Sequence, residues 1–143
     1  MQELQRLLIE RACEVLVIEY ALHLDHKRAD AFAGLFTEDA HFRHARYAEP
    51  MIGRARIGQW IADYAPDTLV RHVTANIRVD VIDADHARGT SYSTAYRVAG
   101  HDGTLPAPLA GPYCVVEYDD RYQRTAGGWK FAYRSFFYVF RSD

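Results

Sequence analysis

The sequence contains little cysteine, no excess of positive charge and no long apolar run. Cys13 and Cys114 are far apart and show no CxxC spacing, which predicts two buried thiols in a reducing cytoplasm rather than a disulfide framework. The net charge of −2 excludes a generic basic surface for nucleic acid or anionic membrane. No stretch approaches the roughly 18 apolar residues that span a bilayer, and the first residues lack the pattern of a secretory signal. We therefore expect a cytoplasmic protein that binds neither nucleic acid nor membrane.

Several motifs of common enzyme classes are also missing. The sequence has no GxSxG, no Walker loop and no GxGxxG, which excludes a nucleophile elbow and the usual nucleotide-binding loops. Two histidine pairs, His23 with His26 and His41 with His44, have a spacing of three that can hold zinc on a helix. No motif places a third ligand, so we expect no metal and no cofactor.

The chain of 143 residues is long enough for one domain, 1–143, whose first half has helical periodicity. Apolar residues at steps of three and four predict a helix over residues 1–25, with Leu4, Leu8, Ala12, Val15, Leu16 and Leu22 on its apolar stripe. A short second helix follows, which Asp30 could cap, with Phe32, Leu35 and Phe36 buried before residues 37–39 end it. A third helix is predicted over residues 53–65, and Pro66 ends it.

After Pro66 the apolar period changes to two. Alternation predicts four long strands over residues 70–81, 87–98, 113–124 and 129–140, with a glycine- and proline-containing loop at 100–111. Helices first and strands afterwards indicate an α+β fold, with three N-terminal helices covering the open face of a curved, mostly antiparallel, cone-shaped sheet. The interior of such a cone is a natural small-molecule pocket.

The ten tyrosines and seven phenylalanines are the most unusual feature of the composition. They suit an apolar pocket with a few oriented hydroxyl groups, although tyrosine is also an ordinary strand residue. In the last strand, strict alternation places Trp129, Phe131 and Tyr133 on one face and Arg134, Phe136, Tyr138 and Phe140 on the other. Because both faces are apolar, one should line the cavity and the other should meet a partner, which predicts a homo-oligomer, either a trimer or a dimer.

Three segments resemble the SnoaL-like, scytalone-dehydratase-like branch of the nuclear-transport-factor-2-like superfamily. They are residues 20–25 running into 31–40, residues 71–76, and residues 118–122 running into 127–131. The resemblance spans nearly the whole chain and implies the cone-shaped fold. It constrains function less, because the superfamily includes dehydratases, isomerases, dehydrochlorinases, cyclases, dioxygenase β subunits and non-enzymes.

The resemblance also implies a set of site residues. Members that eliminate water or HCl share an aspartate at the end of the first helix and a histidine early in the first long strand, which correspond to Asp25 and His72. Members similar to bile acid 7α-dehydratase carry a tyrosine that matches Tyr20, and an arginine of the last strand matches Arg134. The second histidine of scytalone-dehydratase-like members would fall near Tyr113, where no histidine stands. This departure favours a mechanism with one histidine.

The matched residues can perform a β-elimination without metal. His72 would act as base and acid, Asp25 would orient its ring, and Tyr20 would donate a hydrogen bond to a substrate oxygen. Without the resemblance, a hydrogen-bonded strand histidine and a helix-end aspartate are the favoured interpretations of His72 and Asp25. The predicted substrate-binding residues are Asn76, Arg134, His44, Tyr118, Tyr92 and Tyr113.

The sequence thus predicts a cofactor-independent, dehydratase-like lyase that acts on a hydrophobic, hydroxylated and cyclic small molecule. An isomerase or cyclase with the same two residues is the alternative within enzymes. A ligand-binding cone, or a scaffold that resembles a dioxygenase β subunit and binds a Rieske-type partner, is the alternative outside them.

Overall fold

A computed structural model describes residues 1–142 of the chain. Helix α1 covers Glu3–Asp25, α2 covers Ala29–Ala33 and α3 covers Arg54–Ala62. The strands are β1 Phe36–Arg43, β2 Met51–Ile52, β3 Leu69–Val81, β4 His86–Val98, β5 Cys114–Thr125 and β6 Gly128–Arg141. None of the helices within residues 1–142 is long and apolar enough to cross a membrane.

The fold is α+β, with one curved, open, six-stranded mixed sheet in the order β2-β1-β6-β5-β4-β3. The four predicted long strands are present and form an antiparallel meander. Strands β1 and β2 were not predicted, and β1 pairs with β6 in parallel. Two of the strands therefore precede α3, so the predicted order of three helices followed by all strands is wrong.

The segment around Phe36 shows why the sequence analysis did not predict β1. Phe32, Leu35 and Phe36 are all buried, and their spacing fits a helix as well as it fits a chain that leaves one. In the structure α2 ends at Ala33 and Phe36 already belongs to β1. Helix α2 begins at Ala29 after Arg28, so Asp30 lies in its first turn and does not cap it.

Helix α1 packs across β3 with a different face from the predicted one. Its buried residues follow one another at steps of three and four from Ile9 through Cys13, Leu16 and Tyr20 to Leu24. Leu4, Leu8 and Leu22 of the predicted stripe are exposed. Apolar residues surround much of this helix, so periodicity alone could not select the face that meets the sheet.

Irregularities in the strands decide which residues face the core. The pairing of β5 with β6 shifts at two places, and the first brings Phe131 and Arg134 onto the same buried side. The predicted separation of these two residues onto opposite faces is therefore wrong, because a bulge reverses the alternation that follows it. The second shift turns Phe140 outward, where it is exposed beside Phe137.

Candidate active site

A cavity of about 380 Å³ opens between the concave face of the sheet and the helices. Six of the ten tyrosines line it, together with Trp60 and Phe136. The tyrosines are Tyr20, Tyr47, Tyr64, Tyr113, Tyr118 and Tyr138. A concave surface that combines aromatic side chains with oriented polar groups is a common form of a small-molecule site.

Asp25 and His72 are in direct contact at one wall of this cavity. The Asp25 Oδ1 atom lies 2.6 Å from His72 Nδ1, and Asp25 Oδ2 accepts a hydrogen bond of 3.0 Å from the backbone N–H of His72. Asp25 is buried at the last turn of α1, whereas His72 lies on β3 and lines the cavity. Because both carboxylate oxygens are engaged, the ring orientation is fixed and Nε2 is the ring nitrogen left for a ligand.

The cavity floor contains two buried tyrosines above a buried arginine. Tyr20 and Tyr118 both line the cavity, with ring centroids 5.7 Å apart. The Arg134 Cζ atom lies 4.0 Å from the ring centroid of Tyr20 and 3.7 Å from that of Tyr118. Burial raises the pKa of both hydroxyl groups, against the lowering effect of Arg134. Both tyrosines are therefore neutral hydrogen-bond donors at neutral pH.

Arg134 is fully buried and has one acidic neighbour. Its Nε atom lies 3.4 Å from Asp120 Oδ1, which is an ion-pair distance without hydrogen-bond geometry. Burial raises the pKa of Asp120 to about 6, although Arg134 and a hydrogen bond from the Tyr122 hydroxyl both lower it. The guanidinium is thus held mainly by aromatic faces and one carboxylate.

His44 lies at the outer part of the cavity among aromatic rings. Its ring centroid is 4.6 Å from that of Phe136 and 5.2 Å from that of Trp60. Burial, with a smaller effect from Arg46, lowers the pKa of His44 to about 4. His44 is therefore neutral at physiological pH.

A family model described as the SnoaL-like domain matches residues 5–135. The chain belongs to the SnoaL-like family. No curated protein matches the sequence.

Solved structures with the same fold cover almost all of this SnoaL-like chain. A candidate scytalone dehydratase from Novosphingobium aromaticivorans is 24% identical, with a TM-score of 0.81 over 99% of this chain and 91% of the other. The hexachlorocyclohexane dehydrochlorinase LinA-type3 from Novosphingobium barchaimii is 17% identical, with a TM-score of 0.79 over 99% and 93%. ActVI-ORFA from Streptomyces coelicolor is 22% identical, with a TM-score of 0.74 over 90% and 96%. At these identities the likeness shows the fold alone.

Most of the site residues predicted for this SnoaL-like protein lie together. His72, Tyr20, His44, Tyr113 and Tyr118 line the cavity. Asp25 and Arg134 do not line it but contact residues that do. Within residues 1–142 no three histidine, cysteine, aspartate or glutamate side chains are placed to hold a metal ion.

Asn76 and Tyr92 lie outside the cavity, which corrects their predicted position. Asn76 has a φ of 52° where the pairing of β3 with β4 shifts, and it is exposed. The extra residue of this bulge ends the alternation that would have carried Asn76 to the His72 side. Tyr92 is 45% exposed, because its neighbours Ser91 and Ser93 take the buried side of β4.

Other residues of the cavity were missed by the sequence analysis. Ser93, Ala95 and Arg97 line it from alternate positions of β4, so the period of two along the predicted strand could have identified Arg97. Arg46 and Tyr47 lie in the loop after β1, and no periodic signal marked them because β1 itself was not predicted.

Proposed function

We propose that this protein is a cofactor-independent lyase that removes water from a hydrophobic, hydroxylated cyclic ketone. The contact between Asp25 and His72 at the wall of an aromatic cavity carries the proposal. A β-elimination needs a base near a carbon acid, a donor to the carbonyl oxygen, and an acid for the leaving group. Each of these roles has a suitable residue on the cavity surface.

His72 acts as the base. Its Nδ1–H donates to Asp25, and the free Nε2 removes the proton from the carbon next to the substrate carbonyl. The carboxylate stabilises the imidazolium that forms, which is the orienting role of an acid in a catalytic triad. Negative charge then moves onto the carbonyl oxygen. The neutral hydroxyl groups of Tyr20 and Tyr118 are hydrogen-bonded to each other, which leaves one hydroxyl proton of the pair to donate to that oxygen.

The same imidazolium completes the reaction. The enolate re-forms its carbonyl, the bond between the β-carbon and the hydroxyl oxygen breaks, and His72 returns its proton to that oxygen. The products are an enone and water, and His72 is neutral again. No oxidant, reductant or second substrate is required. Two of the similar structures have names that denote eliminations, a candidate dehydratase and a dehydrochlorinase, which agrees with this proposal.

A bicyclic β-hydroxyketone, 3-hydroxy-1-tetralone, tests the proposal. Loss of water and tautomerisation give 1-naphthol, whose fluorescence reports the rate. Exchange of the α-protons of 1-tetralone in D₂O, followed by NMR, tests the base separately from the leaving group. Exchange that depends on His72, without any dehydration, would favour an isomerase or cyclase. The proposal is refuted if the wild-type protein catalyses neither reaction faster than the His72→Ala variant does.

A further inference from the structure

The mouth of the cavity has an excess of positive charge. Its charged lining residues, apart from the histidines, are Arg46, Arg56, Arg97 and Asp63. The whole chain carries a net charge of −2, so this concentration of arginine runs against the overall balance. Arginine is the side chain best suited to bind a planar carboxylate through two parallel hydrogen bonds.

Two of these arginines meet at a single tyrosine. Arg46, from the loop after β1, donates a hydrogen bond through Nη2 to the Tyr113 hydroxyl. Arg97, from β4, has its Cζ atom 5.4 Å from the centroid of the Tyr113 ring. Both guanidinium groups also lower the pKa of Tyr64, against the effect of burial, because both lie near its hydroxyl. Arg46 and Arg97 therefore face one region of the mouth.

Neither arginine has an acidic partner in the part of the chain that the structure describes. The ion pairs within residues 1–142 involve other side chains, and Asp63 accepts a hydrogen bond from Gln59. Two like charges held near one ring repel each other, and a bound anion would remove that repulsion. Aromatic and aliphatic side chains also line the cavity, and they suit the apolar part of the same ligand.

We propose that Arg46 and Arg97 bind a carboxylate group of the substrate, so that the substrate class is a cyclic hydroxyketone carrying an acid group. The carboxylate lies at the mouth, where Arg46 and Arg97 are exposed, and the ring extends past Trp60 and His44 toward His72. That the bound acid is a substrate rests on the proposed function, but its binding can be measured without turnover. Since the two guanidinium groups come from separate elements, they fix both the position and the direction of the ring.

Binding of two matched ligands tests this inference. Isothermal titration calorimetry with 2-naphthoate and 2-naphthamide compares a carboxylate with a neutral group on the same ring. We expect the carboxylate to bind about tenfold more tightly at low ionic strength, and this preference to weaken as salt screens the partly exposed charges. Arg46→Gln and Arg97→Gln should each reduce the preference about threefold or more, and the double variant should abolish it.

The matched control is Arg88→Gln, because Arg88 is exposed at the opposite end of β4 from Arg97. It should keep the full preference. Equal affinity for the two ligands, no measurable binding of 2-naphthoate, or a preference that survives in the double variant would overturn the inference. Failure of the elimination assay in the wild-type protein would refute the proposed function and leave this binding result standing.

Discussion

Replacing Asp25 with asparagine tests the central contact of the site. Asparagine has the same size and can still accept the hydrogen bond from the backbone N–H of His72, so the end of α1 should remain docked on β3. The negative charge beside the ring is lost. For charge centres about 4 Å apart at an effective dielectric constant near 20, the interaction with an imidazolium is worth about 4 kcal/mol. Since 1.36 kcal/mol corresponds to a factor of ten, kcat/KM should fall roughly 10³-fold.

The assay is the release of 1-naphthol from 3-hydroxy-1-tetralone, with thermal unfolding measured on each variant. Asp119→Asn is the matched control, because Asp119 is an exposed aspartate of β5 and should leave the rate unchanged. His72→Ala should lose at least as much activity as Asp25→Asn. The double variant should lose little more than the worse single one, because the two residues act as a unit. An Asp25→Asn rate within threefold of the wild type, or losses that add in the double variant, would refute the mechanism.

The remaining predictions concern stability, assembly and metal. Asp120→Leu should cost about 3–5 kcal/mol of unfolding free energy, because it leaves the Arg134 charge buried without a partner. In urea titrations Arg134→Met should cost less unfolding free energy at pH 5 than at pH 7. Asp120 has a pKa of about 6 even beside Arg134, so at pH 5 it is largely neutral and does not need the guanidinium. The pKa of His44 falls from 6.5 to about 4 on folding, so between these pH values only the unfolded chain binds this proton. The free energy of unfolding should therefore drop by up to about 3 kcal/mol as the pH falls through this range. The drop should be smaller in His44→Gln. Analytical ultracentrifugation should show a homo-oligomer. Phe137 lies on the exposed face of the sheet, so Phe137→Glu should dissociate this oligomer. A wild-type monomer of 16.4 kDa would contradict the prediction. Elimination should survive prolonged dialysis against EDTA, and rescue of lost activity by zinc would contradict a mechanism based on imidazole and carboxylate.

The long regular elements of this fold were predictable, and the irregular ones were not. The change of period at Pro66 located all four strands of the meander, because each is long enough for alternation to be visible. Strand β2 has only two residues. Strand β1 begins with two successive buried and two successive exposed residues, so its alternation is confined to residues 39–43 and is too short to be distinctive. The bulge at Asn76 depends on one left-handed residue, which the alternation before it could not reveal.

The same limit applies to the site. The contact of Asp25 with His72 joins residues 47 positions apart, and the family resemblance suggested it where periodicity could not. Five residues turn an ideal helix through about 140°, so Tyr20 and Asp25 do not face the same side of a regular helix. The structure removes this conflict, because Tyr20 lines the cavity directly whereas Asp25 meets it through His72.

The position of β6 in the sheet bears on how the protein is assembled during synthesis. β6 follows every other strand along the chain, yet it lies between β1 and β5. Until β6 has left the ribosome, strands β1 and β2 can form no backbone hydrogen bonds with the meander of β3, β4 and β5, because β6 is the strand that lies between them. Before β6 is available, the sheet consists of two parts with unpaired edge strands, and such edges are prone to mispairing. Because Arg134 belongs to β6, the buried support of Tyr20 and Tyr118 is also completed only at that last step.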